Sequence, residues 1–436
     1  SPPRVPLINC LLALLCSGLK AQLGDLHQSF DYVTVREGAH MFYWLFYTTA
    51  NVPTYTDRPL VVWLQGGPGG SSTAIGNFEI LGPLDLRLQP RDYTWVNNFN
   101  VLFVDNPVGT GYSYVDNLSR LTTTNDEIAL DFVNLMRGFY ASHPEFEGVP
   151  LYIYGQSYGG KMAPVFDICY VEIQAEAAGT IGSNLRGIAM GNAWISPTDA
   201  TLTWGPLLLA AGLVDQTGHD YIQANATLAE RYDETQWAAT QQAVFRATTR
   251  VDFYNILTKI PQLYFVSIFL ELSRQMMISN RPYGEPEDVT RQDVWNLNTL
   301  MNTLVREHLG IPAHVIWDSQ SNAVFDTLRE DFMKPVTDVE KLLNETDIII
   351  TKYNGNLDLI CSTPGQLIWV EKLKWPGAAA YRDAPRNPIW ENDRLEGYYQ
   401  SYGNLRFFWI NVAGHSVPRD NPAGADFFLR DMTSFG

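Results

Sequence analysis

The sequence predicts an α/β fold, a mostly parallel central sheet interrupted by a mainly helical insertion, and three observations carry that reading. First, Pro59–Leu64, Val101–Val104, Leu151–Tyr154 and Leu185–Met190 are short, nearly continuous apolar runs, the pattern of strands covered on both faces. Second, the stretch Asp126–Ser142 between the second and third runs places Ile128, Phe132, Leu135 and Phe139 on one helical face. Strand, helix and strand therefore alternate as a parallel sheet requires. Third, between Pro197 and Val336 such strands stop, and helical stretches rich in Trp, Gln, Leu and Met take over.

The remaining elements follow in order. Phe30–Val35 and Met41–Tyr47 flank a Glu37-Gly38 turn, as in an antiparallel hairpin. After the insertion, Ile348–Tyr353 and Leu405–Val412 resume the strand pattern, and a helix over Ala423–Thr433 ends the chain. The expected division is a signal peptide over 1–21, a first part of the core over 22–196, a helical cap over 197–336 and a second part of the core over 337–436. There is no internal repeat and no low-complexity segment. With 436 residues, 46% of them hydrophobic, the chain can bury a large core, which excludes a disordered protein.

Charge narrows the partners. Thirty Lys and Arg against 47 Asp and Glu give a net charge of −17, which argues against nucleic acid or an anionic membrane surface. Arg4, the apolar run Leu7–Cys16 and the small residues ending near Ala21 read as a secretory signal. That run is too short to cross a bilayer, and no later segment approaches about 20 uninterrupted apolar residues. A soluble protein of the secretory pathway, secreted or lysosomal, is expected. Cys10 and Cys16 would leave with the signal, so Cys169 and Cys361 remain, and whether they pair is left open. Sequons at Asn117, Asn225 and Asn344 suit a glycosylating route.

The chemistry begins at Gly155-Gln156-Ser157-Tyr158-Gly159, which follows the strand Leu151–Tyr154 and precedes a helix-compatible run, Lys161–Tyr170. G-x-S-x-G in that context is the nucleophile elbow of an α/β-hydrolase fold. A serine hydroxyl needs a base and an orienting carboxylate, expected in the chain order Ser, Asp, His. His308 and His314 fall inside the insertion, whereas His415 follows the last strand, so His415 is the expected base. Asp358, in the loop after Ile348–Tyr353, is the expected carboxylate, there to hold the His415 tautomer. The glycine-rich loop Gln65–Ser72 leaves a strand and supplies backbone donors, and the Gly67 and Tyr158 amides are the expected oxyanion hole. No Lys follows that loop at the spacing a phosphate-binding loop needs.

With Asp105–Ser113, Val251–Leu257, Asp331–Pro335 and Ala413–Pro418 added to these motifs, nearly all of the mature chain resembles the serine carboxypeptidase family, and within it the retinoid-inducible group. The resemblance implies an α/β-hydrolase with a helical cap that removes C-terminal residues from peptides at acid pH through an acyl-enzyme. It assigns Ser157, Asp358 and His415 to the triad and Gly67 and Tyr158 to the oxyanion hole. In that family the substrate carboxylate is held by an Asn, a Gly amide and two Glu sharing a proton, positions occupied here by Gln65, Gly66, Glu79 and Gln156. Gln65 keeps an amide donor, but Gln156 removes the titratable half of the acid pair, and a weaker acid preference or a shift toward esters and amides is expected. No metal or organic cofactor is expected. The expected partners are peptides or small proteins with a free C-terminus, and a homodimer is left open. A complete triad does not separate a peptidase from an acyltransferase, and the altered clamp leaves room for a non-catalytic binding or protective protein.

Overall fold

Each apolar run forms a strand because its alternate residues face two different cores. A computed structural model describes residues 23–164, 178–227, 234–259 and 297–435. The signal segment, Cys169 and most of the run Lys161–Tyr170 lie outside the described residues.

The strands are β1 (Gln28–Arg36), β2 (Ala39–Phe46), β3 (Leu60–Leu64), β4 (Asn100–Val104), β5 (Tyr114–Val115), β6 (Leu151–Gln156) and β7 (Leu185–Gly191). They continue with β8 (Val251–Asp252), β9 (Asn255–Lys259), β10 (Ile349–Gly355), β11 (Asn387–Glu391), β12 (Arg394–Tyr402) and β13 (Leu405–Ile410). Among the described residues the central sheet runs β1-β2-β4-β3-β6-β7-β10-β13-β12-β11, with β5 paired to β2. From β4 to β13 every neighbouring pair is parallel, while both flanks are antiparallel. This is the mainly parallel sheet of an α/β-hydrolase.

Val62, Leu64, Ile153, Ile188 and Ile350 face one core, where the helix Asn125–Ser142 contributes Ile128, Phe132, Leu135 and Phe139. Val61, Trp63, Tyr154 and Tyr353 face the other, with Phe78 and with Phe428 of the helix Pro422–Thr433. A fully buried side chain of this size contributes about 1.5–3 kcal/mol, so both faces must be covered for the strands to pay for their ordering. The helix Asn125–Ser142 starts where the Thr124 hydroxyl caps the Glu127 amide, with Asp126 and Glu127 in its first turn. It stops at His143, before Pro144.

The hairpin strands β11 and β12 were not foreseen. Arg394–Tyr402 is polar and aromatic and only partly buried, so it lacks the continuous apolar run by which the central strands announce themselves. Between β7 and β10 the regular elements among the described residues are helices, including Pro197–Leu202, Gln216–Ala226 and Glu234–Thr248, apart from the two-stranded ladder β8–β9.

Candidate active site

The C-terminal ends of the parallel strands β3, β6, β10 and β13 carry the loops expected to hold the chemistry, which is where open α/β sheets build their sites. At the end of β6, Ser157 sits at φ 60° and ψ −122°, outside the regions an L-residue ordinarily occupies. The turn closes only because its neighbours lack side chains. A Cβ on Gly155 would lie 2.1 Å from the Gly159 carbonyl oxygen, and one on Gly159 would lie 2.1 Å from that of Leu64.

Across the cleft, His415 Nδ1 and Asp358 Oδ2 are 2.8 Å apart, with 4% and 0% of their side chains exposed. Asp358 accepts through both oxygens: Oδ2 also takes Asn192 Nδ2 at 2.7 Å, and Oδ1 takes the Cys361 amide at 3.4 Å. His415 Nδ1 is therefore the donor, which leaves Nε2 with a bare lone pair. Nε2 is buried and without a hydrogen-bond partner among the described residues. His415, Ser157, Gln65, Gly66, Gly67, Gln156 and Gln320 all line one narrow cleft, so the structure brings the two residues to the same space.

The loop after β3 forms the opposite wall. Gly67 has φ +123°, a conformation open to glycine, and a Cβ there would meet the Gly69 and Gly70 amides at 2.8 Å. Neither the Gly67 nor the Tyr158 amide is taken by a backbone acceptor among the described residues. Behind the loop, the buried Asp105 accepts from Ser71 Oγ (2.9 Å), the Thr73 amide (3.0 Å) and hydroxyl (2.8 Å), and the Tyr112 amide (2.9 Å). Burial pushes the Asp105 carboxyl above its ordinary range, and these bonds pull against that rise.

Of the four residues at carboxylate-clamp positions, Gln65, Gly66 and Gln156 line the cleft, whereas Glu79 is half-buried on the helix Ser72–Leu81 and is not part of the lining. Gln65 Oε1 accepts from Trp63 Nε1 at 3.0 Å. Gln156 Nε2 reaches Ser416 Oγ at 3.1 Å, and its Oε1 is buried without a partner among the described residues. Cys361 is a buried free thiol, and burial holds it well above its usual range, so it stays protonated beside Asp358.

Three contributors escaped the sequence reading. Asn192, which follows β7 with φ 41°, orients Asp358. Tyr254, in the β8–β9 turn, offers its carbonyl to the His415 amide at 2.8 Å and packs its ring edge-on to the imidazole at 4.9 Å. Gln320 donates to the Pro68 carbonyl and braces the glycine loop, where Ser321 N also meets Gly69 O at 2.9 Å. Tyr254 falls inside the Val251–Leu257 motif, whereas nothing in the sequence marks Asn192 or Gln320.

Comparison with known proteins agrees with this geometry. The serine carboxypeptidase family model matches residues 19–434. The chain belongs to the serine carboxypeptidase family. Retinoid-inducible serine carboxypeptidase from Rattus norvegicus is 42% identical over 92% of this chain and 90% of its own length. Serine carboxypeptidase-like 51 from Arabidopsis thaliana is 35% identical over 98% and 97%. A prohormone-processing carboxypeptidase from Saccharomyces cerevisiae shares the fold, with a TM-score of 0.77 at 20% identity over 94% of this chain and 91% of its own. This serine carboxypeptidase is thus a hydrolase acting on peptide bonds, with the α/β-hydrolase fold expected from its sequence. Among the described residues no helix is long and apolar enough to cross a membrane.

Proposed function

We propose that this serine carboxypeptidase releases C-terminal residues through an acyl-enzyme on Ser157. His415 Nε2 takes the hydroxyl proton as Oγ attacks the scissile carbonyl, and Asp358 holds the ring and balances the imidazolium. The Gly67 and Tyr158 amides receive the oxyanion, and His415 returns the proton to the leaving amine. Water then repeats the sequence on the ester. The observation that carries this reading is a base with Nδ1 locked to Asp358 and Nε2 without a partner among the described residues, on a histidine that lines the same cleft as Ser157. A fluorophosphonate that labels wild-type protein and spares Ser157→Ala, together with release of the last residue from a blocked dipeptide, is the expected result. Labelling without any such release, but with transfer from an ester donor, would replace the peptidase by an acyltransferase; no labelling would leave a binding protein.

Substrates on this reading are peptides or small proteins with a free C-terminus, whose carboxylate meets Gln65, Gly66 and Gln156, with Glu79 one turn behind. Because the Gln156 amide does not titrate, carboxylate binding loses part of its dependence on acid. Gln156→Glu is expected to leave kcat/KM within about threefold at pH 4.5 and to lower it about tenfold at pH 7.5, where a charged Glu repels the substrate carboxylate. Unchanged profiles would remove Gln156 from the clamp. We further propose the division into a core, 22–196 and 337–436, and a cap, 197–336. Entry to the secretory pathway, with release or lysosomal delivery, accords with the signal-like segment 1–21 and with the sequon asparagines Asn117 and Asn344, both exposed, and Asn225, half-buried.

A further inference from the structure

Lys352 lies fully buried on β10, six residues before the triad carboxylate. Its Nζ donates to the Tyr353 carbonyl at 3.1 Å and to Asn354 Oδ1 at 2.9 Å, both neutral acceptors. Asn354 passes the connection on, since its Nδ2 donates to the Cys361 carbonyl at 2.9 Å and the Cys361 amide donates to Asp358 Oδ1. These bonds, joined through the Cys361 backbone, lead from the lysine to Asp358 and His415. An amine in an apolar core is costly where a Met or Leu would pack as well, so packing does not account for it.

The other charged or titratable groups around Asp358 are held neutral, pushed toward neutrality or paired. Burial keeps the Cys361 thiol and the Tyr254 phenol protonated, the latter packed against His415 from the β8–β9 turn. On the same hairpin, burial raises the Asp252 carboxyl toward its neutral form. On the His415 loop, Arg419 pairs with Asp420 at 3.0 Å, and Asp420 caps the Gly414 amide. Asn192, from β7, carries no charge.

We propose that Lys352 is a positioning residue for the acid–base pair, an ammonium held behind Asp358 that opposes protonation of His415 and so keeps the triad working in acid. This rests on the triad reading above. The Asp358 carboxylate favours the imidazolium and a cation beside it disfavours it, so the proton must be supplied at lower pH before the base is lost. Burial lowers the Lys352 amine to about 7, so the charge is present in acid and gone in alkali.

The test follows fluorophosphonate labelling of Ser157 against pH, which reads the nucleophile and base without the substrate carboxylate. Lys352→Met is expected to raise the midpoint of the acid limb by about 0.5–1 pH unit. At pH 5 labelling then slows roughly three- to tenfold, while at pH 8.5 it stays within about twofold. Lys352→Arg, which keeps the charge, should restore the wild-type limb. An unmoved limb in Lys352→Met, or an equal loss at both pH values, overturns the proposal. Wild-type protein that does not label overturns the triad reading instead. Should Lys352→Met not fold, side-chain NMR of lysine-labelled wild type and Asp358→Asn reads the same coupling. A near-neutral amine midpoint that falls when the carboxylate is removed supports it, and one that does not move overturns it.

Discussion

The two walls of the cleft are built to opposite rules. On the acid–base wall the groups that hold the base are engaged, with His415 Nε2 alone left for the reaction: Asp358 accepts three donors, and the His415 amide and Nδ1 are both tied down. On the anion-binding wall the donors stand free, with the Gly67 and Tyr158 amides uncommitted to any backbone acceptor among the described residues. A base must keep one tautomer through every turnover, so its partners belong to the resting protein. Donors for an oxyanion act only if they wait unsatisfied for charge to develop. Leaving a buried polar group unpaired costs about 1–3 kcal/mol, so uncommitted donors in the cleft are held ready at a cost to stability.

That contrast can be broken from either side. The largest effect is expected from Asp358→Asn, which keeps the shape but reverses the tautomer; kcat should fall about 10⁴-fold with KM little changed. A loss below tenfold in single-turnover kinetics would show that the acid–base wall does not depend on its finished hydrogen bonds. Next comes Gly67→Ala, which places a methyl 2.8 Å from two amides at a positive φ. It should cost about 10²–10³ in kcat, as loss of an oxyanion donor does, and leave the imidazole's NMR signals in place. Equal disturbance of the His415 ring would mean the two walls are not separate. Smallest is Asn192→Ala, which removes one of the donors to Asp358 and leaves the Nδ1 contact; about a tenfold loss in kcat/KM is expected, since a bond to a charged group is worth about 1.5–3 kcal/mol and Cys361 remains as a donor.

The stretch between β7 and β10 deepens the comparison, because it reaches both walls. The Phe253 carbonyl accepts from the Leu359 and Ile360 amides at 3.0 and 2.9 Å, and the Tyr254 carbonyl from the His415 amide, so the β8–β9 turn holds both acid–base loops. Gln320 and Ser321 do the same for the glycine loop. Lys161, buried just after the nucleophile, donates to the Phe332 and Lys334 carbonyls at 3.4 and 2.6 Å and ties that helix to the Asp331–Pro335 motif. Burial lowers its amine to about 8.

The sequence by itself determined the sheet and the strained elbow that carries Ser157. Apolar runs covered on both faces leave few alternatives to parallel strands, and a Ser between glycines at the end of one is a local motif whose backbone strain is set within five residues. It also named Asp358 and His415, because chain order and loop position are one-dimensional properties. What only the tertiary structure decided is how those groups are held: Asn192 on Asp358, Tyr254 on His415, Gln320 on the glycine loop and Lys352 behind the pair. The edge hairpin β11–β12 belongs with them, since its strands are only half-covered and carry no apolar signature. A hydrogen bond between residues more than 150 positions apart, as from Asn192 to Asp358, has no local pattern to betray it. It exists only once burial has brought the chain ends of several strands to one edge.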